Sequence, residues 1–259
     1  MRTVTATRYV TPLREGGSLP AIVEADDSGL YVAKFRAAGQ GTKALVAEMI
    51  AGELARAAGL RVPDLVLVDV GAALGRNEPD SEIRALLKGS VGLNVGLDYL
   101  PGSVTFDPVA GPAPSPEEAS AVVWFDAFVA NLDRTPRNPN LLHWHRQLWL
   151  IDHGAALYFH HAWARAGEAH RSPFAAVKDH VLLPYASDVR GAGERLASRL
   201  GPDVVARVVG EVPDALLPPE AGLESPAAQR AAYVAHLERR LEAADLFVEE
   251  AERARAALV

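Results

Sequence analysis

The chain has 259 residues, a formal net charge of −7 and no cysteine, and these values exclude several classes of protein. Without cysteine there are no disulfides, no thiolate nucleophiles and few routes to a zinc site. The acidic balance argues against nucleic acid or an anionic membrane as the main partner. No apolar run approaches the roughly 20 residues of a membrane-spanning helix. Residues 1–5 also lack the apolar core of a signal peptide, so we expect a cytoplasmic protein of one or two domains.

The first 36 residues predict three strands joined by turns. Residues 4–10 are rich in Thr and Val, and residues 21–25 and 30–35 are short runs of β-forming side chains. Residues 26–29, with the sequence Asp-Asp-Ser-Gly, favour a hairpin turn between the second and third strands.

The loop between the first two strands contains Gly16, Gly17 and Ser18. Two glycines followed by a serine can present backbone N–H groups and a hydroxyl to phosphate oxygens. A plain Gly-Gly hairpin turn explains the same residues more simply, and without further context we favour it.

Lys34 lies on an apolar face of the third predicted strand, which it shares with Leu30 and Val32. A lysine on such a face needs a charged partner, unless its side chain reaches solvent at the edge of the sheet. Lys34 is therefore a candidate for a buried ion pair, with an edge lysine as the alternative.

The first strong helix covers residues 42–60 and contains a candidate partner for Lys34. Gly59 predicts where this helix ends. Glu48 lies on a stripe of small residues, which lets another element approach the helix closely; the stripe comprises Ala44, Ala51, Gly52 and Ala55. We therefore predict a pair between Lys34 and Glu48, with an ordinary solvated Glu48 as the alternative.

The middle of the chain predicts two further strands and a boundary between lobes. Residues 64–70 and 90–100 have strand character, and residues 81–87 between them favour a short helix. The run from residue 101 to residue 116 is rich in proline and has little periodicity. We interpret it as the start of a second lobe, so that residues 1–100 and 101–259 form the two domains.

The second half of the chain predicts mainly helices. One begins at the capping box Ser115-Pro-Glu-Glu118 and runs to Val129. Further helical segments are expected within residues 174–183, 191–200, 203–208 and 225–258. These segments predict a second lobe built largely from helices.

A polar loop follows the helix that ends at Val129. It offers the carboxylate of Asp133, the cation of Arg134 and the side-chain amide of Asn138 between apolar neighbours. Asn140 offers a second amide if the register of the loop differs. The loop is therefore the first place to look for chemistry.

The next segment predicts a hairpin that brings a second acid to this loop. Residues 141–145 and 147–151 favour paired strands, and Asp152 follows directly. Two carboxylates and an amide suit Mg²⁺, which takes hard oxygen ligands and binds few protein groups beside substrate phosphates. Phosphoryl-transfer enzymes share this spacing, with an Asp, an Asn five positions later and another Asp beyond a hairpin.

Together these residues resemble the HipA-like kinase family. The resemblance is carried mainly by residues 16–20, 48–63 and 131–140, and it extends over residues 5–160. The Asp-Arg order of residues 133–134, in place of His-Arg-Asp, is similar to the branch that holds phosphatidylinositol kinases and HipA-like kinases. The implied fold is α+β and bilobal, like that of protein kinases. Its N-lobe is an antiparallel β-sheet with one long helix, and its C-lobe is mainly helical.

The resemblance implies ATP and Mg²⁺ as cofactors. Lys34, paired with Glu48, would neutralise the α- and β-phosphates, the glycine loop would lie over them, and residues 98–100 would form the hinge beside adenine. The residues implied to bind the nucleotide are Gly16, Gly17, Ser18, Lys34, Glu48, Asp98, Tyr99 and Leu100.

The resemblance also implies catalytic roles. Asp133 would orient or deprotonate the acceptor hydroxyl, and Asn138 and Asp152 would hold Mg²⁺. Arg134 would contact the γ-phosphate or brace the loop. His153 stands where protein kinases have the Phe of Asp-Phe-Gly, so the switching of that Phe does not transfer.

The implied function is transfer of the ATP γ-phosphate to a serine or threonine hydroxyl of a protein. A kinase for a small molecule or a lipid headgroup would use the same residues, and a nucleotide-binding pseudokinase that recruits partners is the non-enzymatic alternative. The extra N-terminal region of toxin-type HipA proteins is not expected here, so a toxin role does not transfer. The acceptor and the oligomeric state are not specified by the sequence.

Overall fold

The computed structural model describes residues 1–13, 19–76 and 78–258, and within them the chain is a mixed α+β protein. The strands are β1 (Thr3–Pro12), β2 (Ala21–Ala25), β3 (Leu30–Lys34), β4 (Leu65–Val70), β5 (Gly92–Asp98), β6 (Val104–Thr105), β7 (Leu141–Trp144) and β8 (Gln147–Leu150). The α-helices are α1 (Thr42–Ala58), α2 (Ser81–Gly89), α3 (Pro116–Val129), α4 (Val189–Ala197), α5 (Pro202–Gly210), α6 (Pro226–Glu242) and α7 (Ala244–Ala256). Short 3-10 segments cover Tyr158–Arg171, Ala175–Asp179, Leu183–Tyr185 and Asp214–Leu216.

The N-terminal strands close into a small barrel, which corrects the expected open antiparallel sheet. Their order is β1-β2-β3-β5-β4, and β1 returns to pair with β4. Residues 3–5 of β1 run parallel to residues 67–69 of β4, while the rest of β1 pairs antiparallel with β2. Register shifts along β1 accompany this change of partner, as expected for irregularities that bend and twist a strand. Closure removes the sheet edge that an open sheet would expose.

Two hydrophobic cores hold the chain together. The smaller one fills the barrel with side chains such as Val23, Tyr31 and Val68. The larger one runs without a break from the outer face of β4 and β5, through α1 and α3, to the C-terminal helices. The predicted division at residue 100 is therefore crossed by continuous apolar packing.

Helix α1 is buried on nearly all sides. Eleven of its 17 residues are buried, including Ala51, Gly52 and Ala55 of the small-residue stripe and large apolar side chains such as Met49 and Ile50. The prediction that it ends at Gly59 is confirmed, because Gly59 adopts φ 93° and its N–H bonds back to the last turn.

Helix α3 delivers the chain to the polar loop. The predicted cap is present: Ser115 Oγ accepts a hydrogen bond from the Glu118 N–H at 3.1 Å. At the other end Ala130 adopts φ 53°, a left-handed conformation that turns the chain sharply into the loop.

The C-terminal part departs from the prediction within residues 174–183, where the expected helix is a short 3-10 segment, Ala175–Asp179. The run over residues 225–258 is helical as expected, and it forms two helices, α6 and α7, that meet at Ala243. The segment Tyr158–Arg171, which had no clear pattern in the sequence, forms irregular 3-10 turns.

Within the ranges that the structure describes, no helix is both long and apolar enough to cross a membrane.

Candidate active site

The centre of the site is Lys34, at the end of β3. Its Nζ donates to Glu48 Oε2 in α1 and to Asp152 Oδ1 beyond β8, each at 2.5 Å. The lysine side chain is 12% exposed and that of Glu48 is fully buried. The amine predicted to find an acidic partner thus joins β3 to the next helix, α1, and to a carboxylate 118 residues further along the chain.

The charges in this cluster stabilise one another. Burial alone would lower the pKa of Lys34, but Asp152 and Glu48 outweigh it and hold the pKa above its usual 10.5. Burial would likewise raise the pKa of Glu48, but Lys34, with His153 beside it, holds that pKa well below 4.5. Both groups are therefore ionised at neutral pH.

Asp152 has an unusual backbone conformation. It adopts φ 56°, which few residues other than glycine, asparagine and aspartate occupy, and such conformations concentrate at functional sites. Its side chain is 39% exposed, so the carboxylate remains accessible from solvent while one oxygen holds Lys34.

The loop carboxylate of Asp133 is held by two amides. Asn138 Nδ2 donates to Asp133 Oδ2 at 2.9 Å. Asn140 Nδ2 donates to the Asp133 carbonyl at 2.8 Å and lies 3.4 Å from Oδ2. The Asp133 N–H in turn donates to Asn131 Oδ1 at 3.2 Å. These contacts fix the direction of the carboxylate.

The two candidate amides occupy different places. Asn138 is exposed, in a turn closed by reciprocal backbone hydrogen bonds with Thr135 at 3.1 Å. Asn140 is 9% exposed and directly precedes β7, and its carbonyl accepts the Ile151 N–H at 3.1 Å. The β7–β8 pairing therefore sets Asn140 beside the residue that precedes Asp152.

Arg134 lies in the bracing position rather than facing solvent. Its side chain is completely buried and forms an ion pair with Asp126 of α3. The guanidinium also donates to the carbonyls of Asn140 and, at 3.4 Å, of Ile151. It thereby ties the loop, the hairpin and α3 together.

The Asp126 carboxylate is shared by three groups. Besides Arg134 it accepts hydrogen bonds from His180 Nε2 at 2.9 Å and from Asn131 Nδ2 at 3.0 Å. Burial would raise the pKa of Asp126, but Arg134 and His180 outweigh it and hold the pKa below 3.8. A buried carboxylate with this many partners is a structural centre of the loop.

The low pKa of Asp126 predicts how acid weakens the fold. Because the pKa is lower in the folded than in the unfolded chain, the ionised carboxylate stabilises the protein above pH 3.8, and this contribution is lost as the pH falls. The free-energy difference between wild type and Asp126→Asn should therefore narrow below that pH. Urea unfolding at a series of pH values measures it, with Asp245→Asn, whose side chain is 78% exposed, as control. A difference that is constant with pH would contradict the assignment.

His153, which replaces the familiar Phe, packs as an aromatic ring and faces Glu48. It is fully buried, with its ring edge-on to Phe125 at 6.4 Å between centroids. Its Nδ1 lies 3.5 Å from Glu48 Oε1. Among the described residues neither of these two atoms has a hydrogen-bond partner. The segment after Asp152 thus meets α1 through a polar contact that a Phe could not make.

Of the residues predicted to bind the nucleotide, some lie outside the described residues and others already use their N–H groups in hydrogen bonds within the chain. Gly16, Gly17 and Ser18 lie outside the described residues. Asp98 ends β5 and Tyr99 follows it, and their N–H groups already donate to the carbonyls of Asp64 and Leu30, at 2.8 and 3.0 Å. Of the three hinge residues, Leu100 is the one whose N–H bonds to no other part of the described chain.

Three residues that support the site were not predicted. They are Asp126, Asn131 and His180, which connect the loop to the helical core. Asp126 offered a signal, because it is a lone acid within the apolar run from Val122 to Val129. Nothing in the local sequence marks His180 as its partner.

The oxygen atoms of the site fit a magnesium ion completed by phosphates. Asn140 donates through Nδ2, which leaves Oδ1 as an acceptor, and Asp152 has a second carboxylate oxygen. Within residues 1–13, 19–76 and 78–258, no group of three or more His, Cys, Asp or Glu side chains is arranged to hold a metal. A site with few protein ligands is what Mg²⁺ in phosphoryl transfer requires.

A barrel and a helical region that meet at a lysine and two carboxylates define a kinase-like protein, and comparison with known proteins agrees. The chain is similar to CtkA, described as a proinflammatory kinase of Helicobacter pylori, over 99% of each chain, with 12% identity and a TM-score of 0.56. This likeness concerns the fold. Among curated proteins nothing matches.

The family described as HipA-like kinase matches residues 7–181, which is more than half of the chain and includes every residue of the site. The chain belongs to the HipA-like kinase family, as the resemblance in its sequence had indicated, and it is a kinase.

Proposed function

We propose that this kinase transfers the γ-phosphoryl group of MgATP to the hydroxyl of a serine or threonine in a protein. The observation that supports this most directly is the contact of Lys34 Nζ with both Glu48 and Asp152, at 2.5 Å each. A buried lysine between two carboxylates is poised to meet phosphate oxygens once these enter the site.

The roles of the residues follow from what each one touches. Lys34 neutralises phosphate charge, and Glu48 holds it in place. Asp133, aimed by two amides, fixes the acceptor hydroxyl and takes its proton. MgATP, when bound, supplies the transferable phosphoryl group and a divalent charge that offsets the phosphates. Arg134 affects the reaction only by stabilising the conformation of the loop.

We propose that the two lobes contribute different residues to the site. Residues 1–100 provide Lys34 and Glu48, and residues 101–259 provide Asp133 and Asp152. The nucleobase would lie against residues 98–100, where the Leu100 N–H is free to donate within the described part of the chain.

Incubation with γ-labelled ATP tests the proposal directly. The kinase should transfer label to itself or to serine- and threonine-containing peptides, and only when Mg²⁺ is present. Label that appears only on sugars or lipid headgroups would move the acceptor to a small molecule. Tight nucleotide binding with no transfer to any hydroxyl would instead identify a pseudokinase.

We assign the second metal ligand to Asn140, whereas the spacing of the sequence had favoured Asn138. Both amides hold Asp133, but Asn140 is buried and its carbonyl accepts the Ile151 N–H next to Asp152, while Asn138 is exposed in the turn with Thr135. Asn140→Ala should therefore weaken Mg²⁺-dependent ATP binding by about tenfold or more, the size of a lost ligand contact of ~1.4 kcal/mol.

Asn138→Ala is the matched control for this assignment. It removes an amide from the same loop and should lower transfer by loosening Asp133, but leave Mg²⁺-dependent binding nearly unchanged. Calorimetry with ATP, with and without Mg²⁺, measures both variants. The reverse pattern, with binding lost in Asn138→Ala alone, would return the ligand to Asn138.

A further inference from the structure

Helix α1, which carries Glu48, is anchored at both ends by chain segments outside the catalytic loop. Several of these anchors lie between residues 199 and 220, beyond residue 181 where the family match ends. The anchors lie outside the residues that we assign to the nucleotide site, so their arrangement calls for a separate explanation.

The first anchor is Lys43, in the first turn of α1. Its Nζ donates to the His160 carbonyl and pairs with Glu220 Oε1, both at 2.8 Å. A cation in the first turn of a helix is disfavoured by the helix dipole. Two strong partners, both partly buried with it, offset that cost. Lys43 therefore ties α1 to the segment after Asp152 and to the loop before α6.

The second anchor is at the other end of the helix. Arg199 Nη1 donates to the Ala58 carbonyl at 2.8 Å, which caps a free C-terminal carbonyl with a cation. Gly59 makes room for it, since a side chain at position 59 would clash with the Arg199 guanidinium.

The body of α1 is covered as well. Helix α5 and the turn Asp214–Leu216 pack against it. Just before α1, Arg36 donates to the Ala215 carbonyl at 3.1 Å. Because α1 is packed on nearly every side, it cannot swing away from Lys34 without breaking these contacts.

We propose that residues 199–220 are an intramolecular clamp that fixes α1, and that Lys43 is the positioning residue that couples the clamp to the Lys34–Glu48 pair. The effect of the clamp on catalysis rests on the proposed phosphoryl transfer. Its consequence is a phosphate-binding lysine that is aligned by the chain's own C-terminal region, without help from a partner protein.

Three variants of the full chain test the clamp. Lys43→Met removes the charge and the donor, and Lys43→Arg keeps both. Arg190→Met is the control, because Arg190 makes two comparable contacts, to Asp245 and Glu252, among C-terminal helices away from α1. Lys43→Met should speed amide exchange in the first half of α1 and lower kcat/KM for ATP by about tenfold. Lys43→Arg and Arg190→Met should leave both the amide exchange rate in α1 and kcat/KM for ATP within a small factor of the wild-type values.

The two measurements separate failure of the clamp from failure of the proposed function. Hydrogen exchange reports on α1 whether or not the protein transfers phosphate. Wild-type activity with equal exchange and equal kcat/KM in Lys43→Met and Arg190→Met would overturn the clamp. Faster exchange in Lys43→Met would support the clamp even if the wild type transferred no phosphate, a result that would reject the proposed function alone. The double variant Lys43→Glu with Glu220→Lys exchanges the charges of the pair. It should restore part of the protection from amide exchange that α1 loses in Lys43→Met.

Discussion

Asp133→Asn should reduce phosphoryl transfer by about 10²–10⁴-fold, which corresponds to roughly 3–5 kcal/mol of barrier. The substitution keeps the size and hydrogen-bonding shape of the side chain but removes the group that accepts the hydroxyl proton. Asn138 and Asn140 still hold the loop, and Lys34 keeps both of its carboxylates. Affinity for MgATP should therefore stay close to that of wild type.

Transfer of label and calorimetric binding of ATP measure the two quantities independently. Asp107→Asn is a suitable control, since this exposed acid only caps a turn, by accepting from the Val109 N–H at 2.8 Å. Equal transfer by Asp133→Asn and wild type would remove Asp133 from the mechanism. Loss of binding together with transfer would mean that Asp133 supports the nucleotide site instead.

Arg134→Met should destabilise the fold by about 3–5 kcal/mol, the usual cost of leaving one partner of a buried ion pair alone. Asp126 would keep its charge in a fully buried position, with only His180 and Asn131 as partners. The carbonyls of Asn140 and Ile151 would lose a donor as well. A loss this large is a sizeable part of the stability of an ordinary domain.

Urea unfolding at pH 7 measures the loss, and Arg190→Met, which breaks an exposed pair, should cost no more than about 1 kcal/mol. Where Arg134→Met proves too unstable to purify, the double variant Arg134→Met with Asp126→Leu should recover part of the stability, because both charges are then absent. A single variant as stable as wild type would contradict the bracing role.

The polar residues of the site could be predicted because their chemistry is hard to explain otherwise. A lysine on an apolar strand face and a glutamate on a small-residue stripe each require a partner, and Lys34 and Glu48 prove to be that partner for one another. Lys34 and Glu48 are visible in the sequence because burying an unpaired charge is costly. Asp152, whose side chain is 39% exposed, was marked instead by its position directly after a strand.

Details that depend on register were less predictable. Spacing in the chain favoured Asn138 as the metal ligand, whereas our proposal of Asn140 depends on the pairing of β7 with β8, which puts Asn140 beside the end of the hairpin. The parallel return of β1 to β4 has no local pattern, because the same strand also pairs with β2. The C-terminal run is helical as predicted, but its division into two helices at Ala243 could not be predicted, since Ala243 gives no clear stop signal.

Supporting residues were the least predictable. Asp126 and His180 are 54 residues apart and meet only because α3 and the turn near residue 180 pack together. The same holds for Lys43 and Glu220, and for Arg199 and the end of α1. Taken alone, Lys43, Glu220 and Arg199 resemble ordinary surface charges in the sequence, and the position of Asp126 in an apolar run does not identify its partner.

The sequence by itself determined the type of protein and the pairing of Lys34 with Glu48, and it marked Asp133 and Asp152 as candidate site residues. Buried charge is expensive, and only a few arrangements of these residue types justify it. Only the tertiary structure decided which amide lies beside Asp152, that Arg134 braces the loop, and that α1 is gripped by the C-terminal region. These outcomes depend on distances between residues remote in the chain, which packing determines and local sequence patterns do not encode.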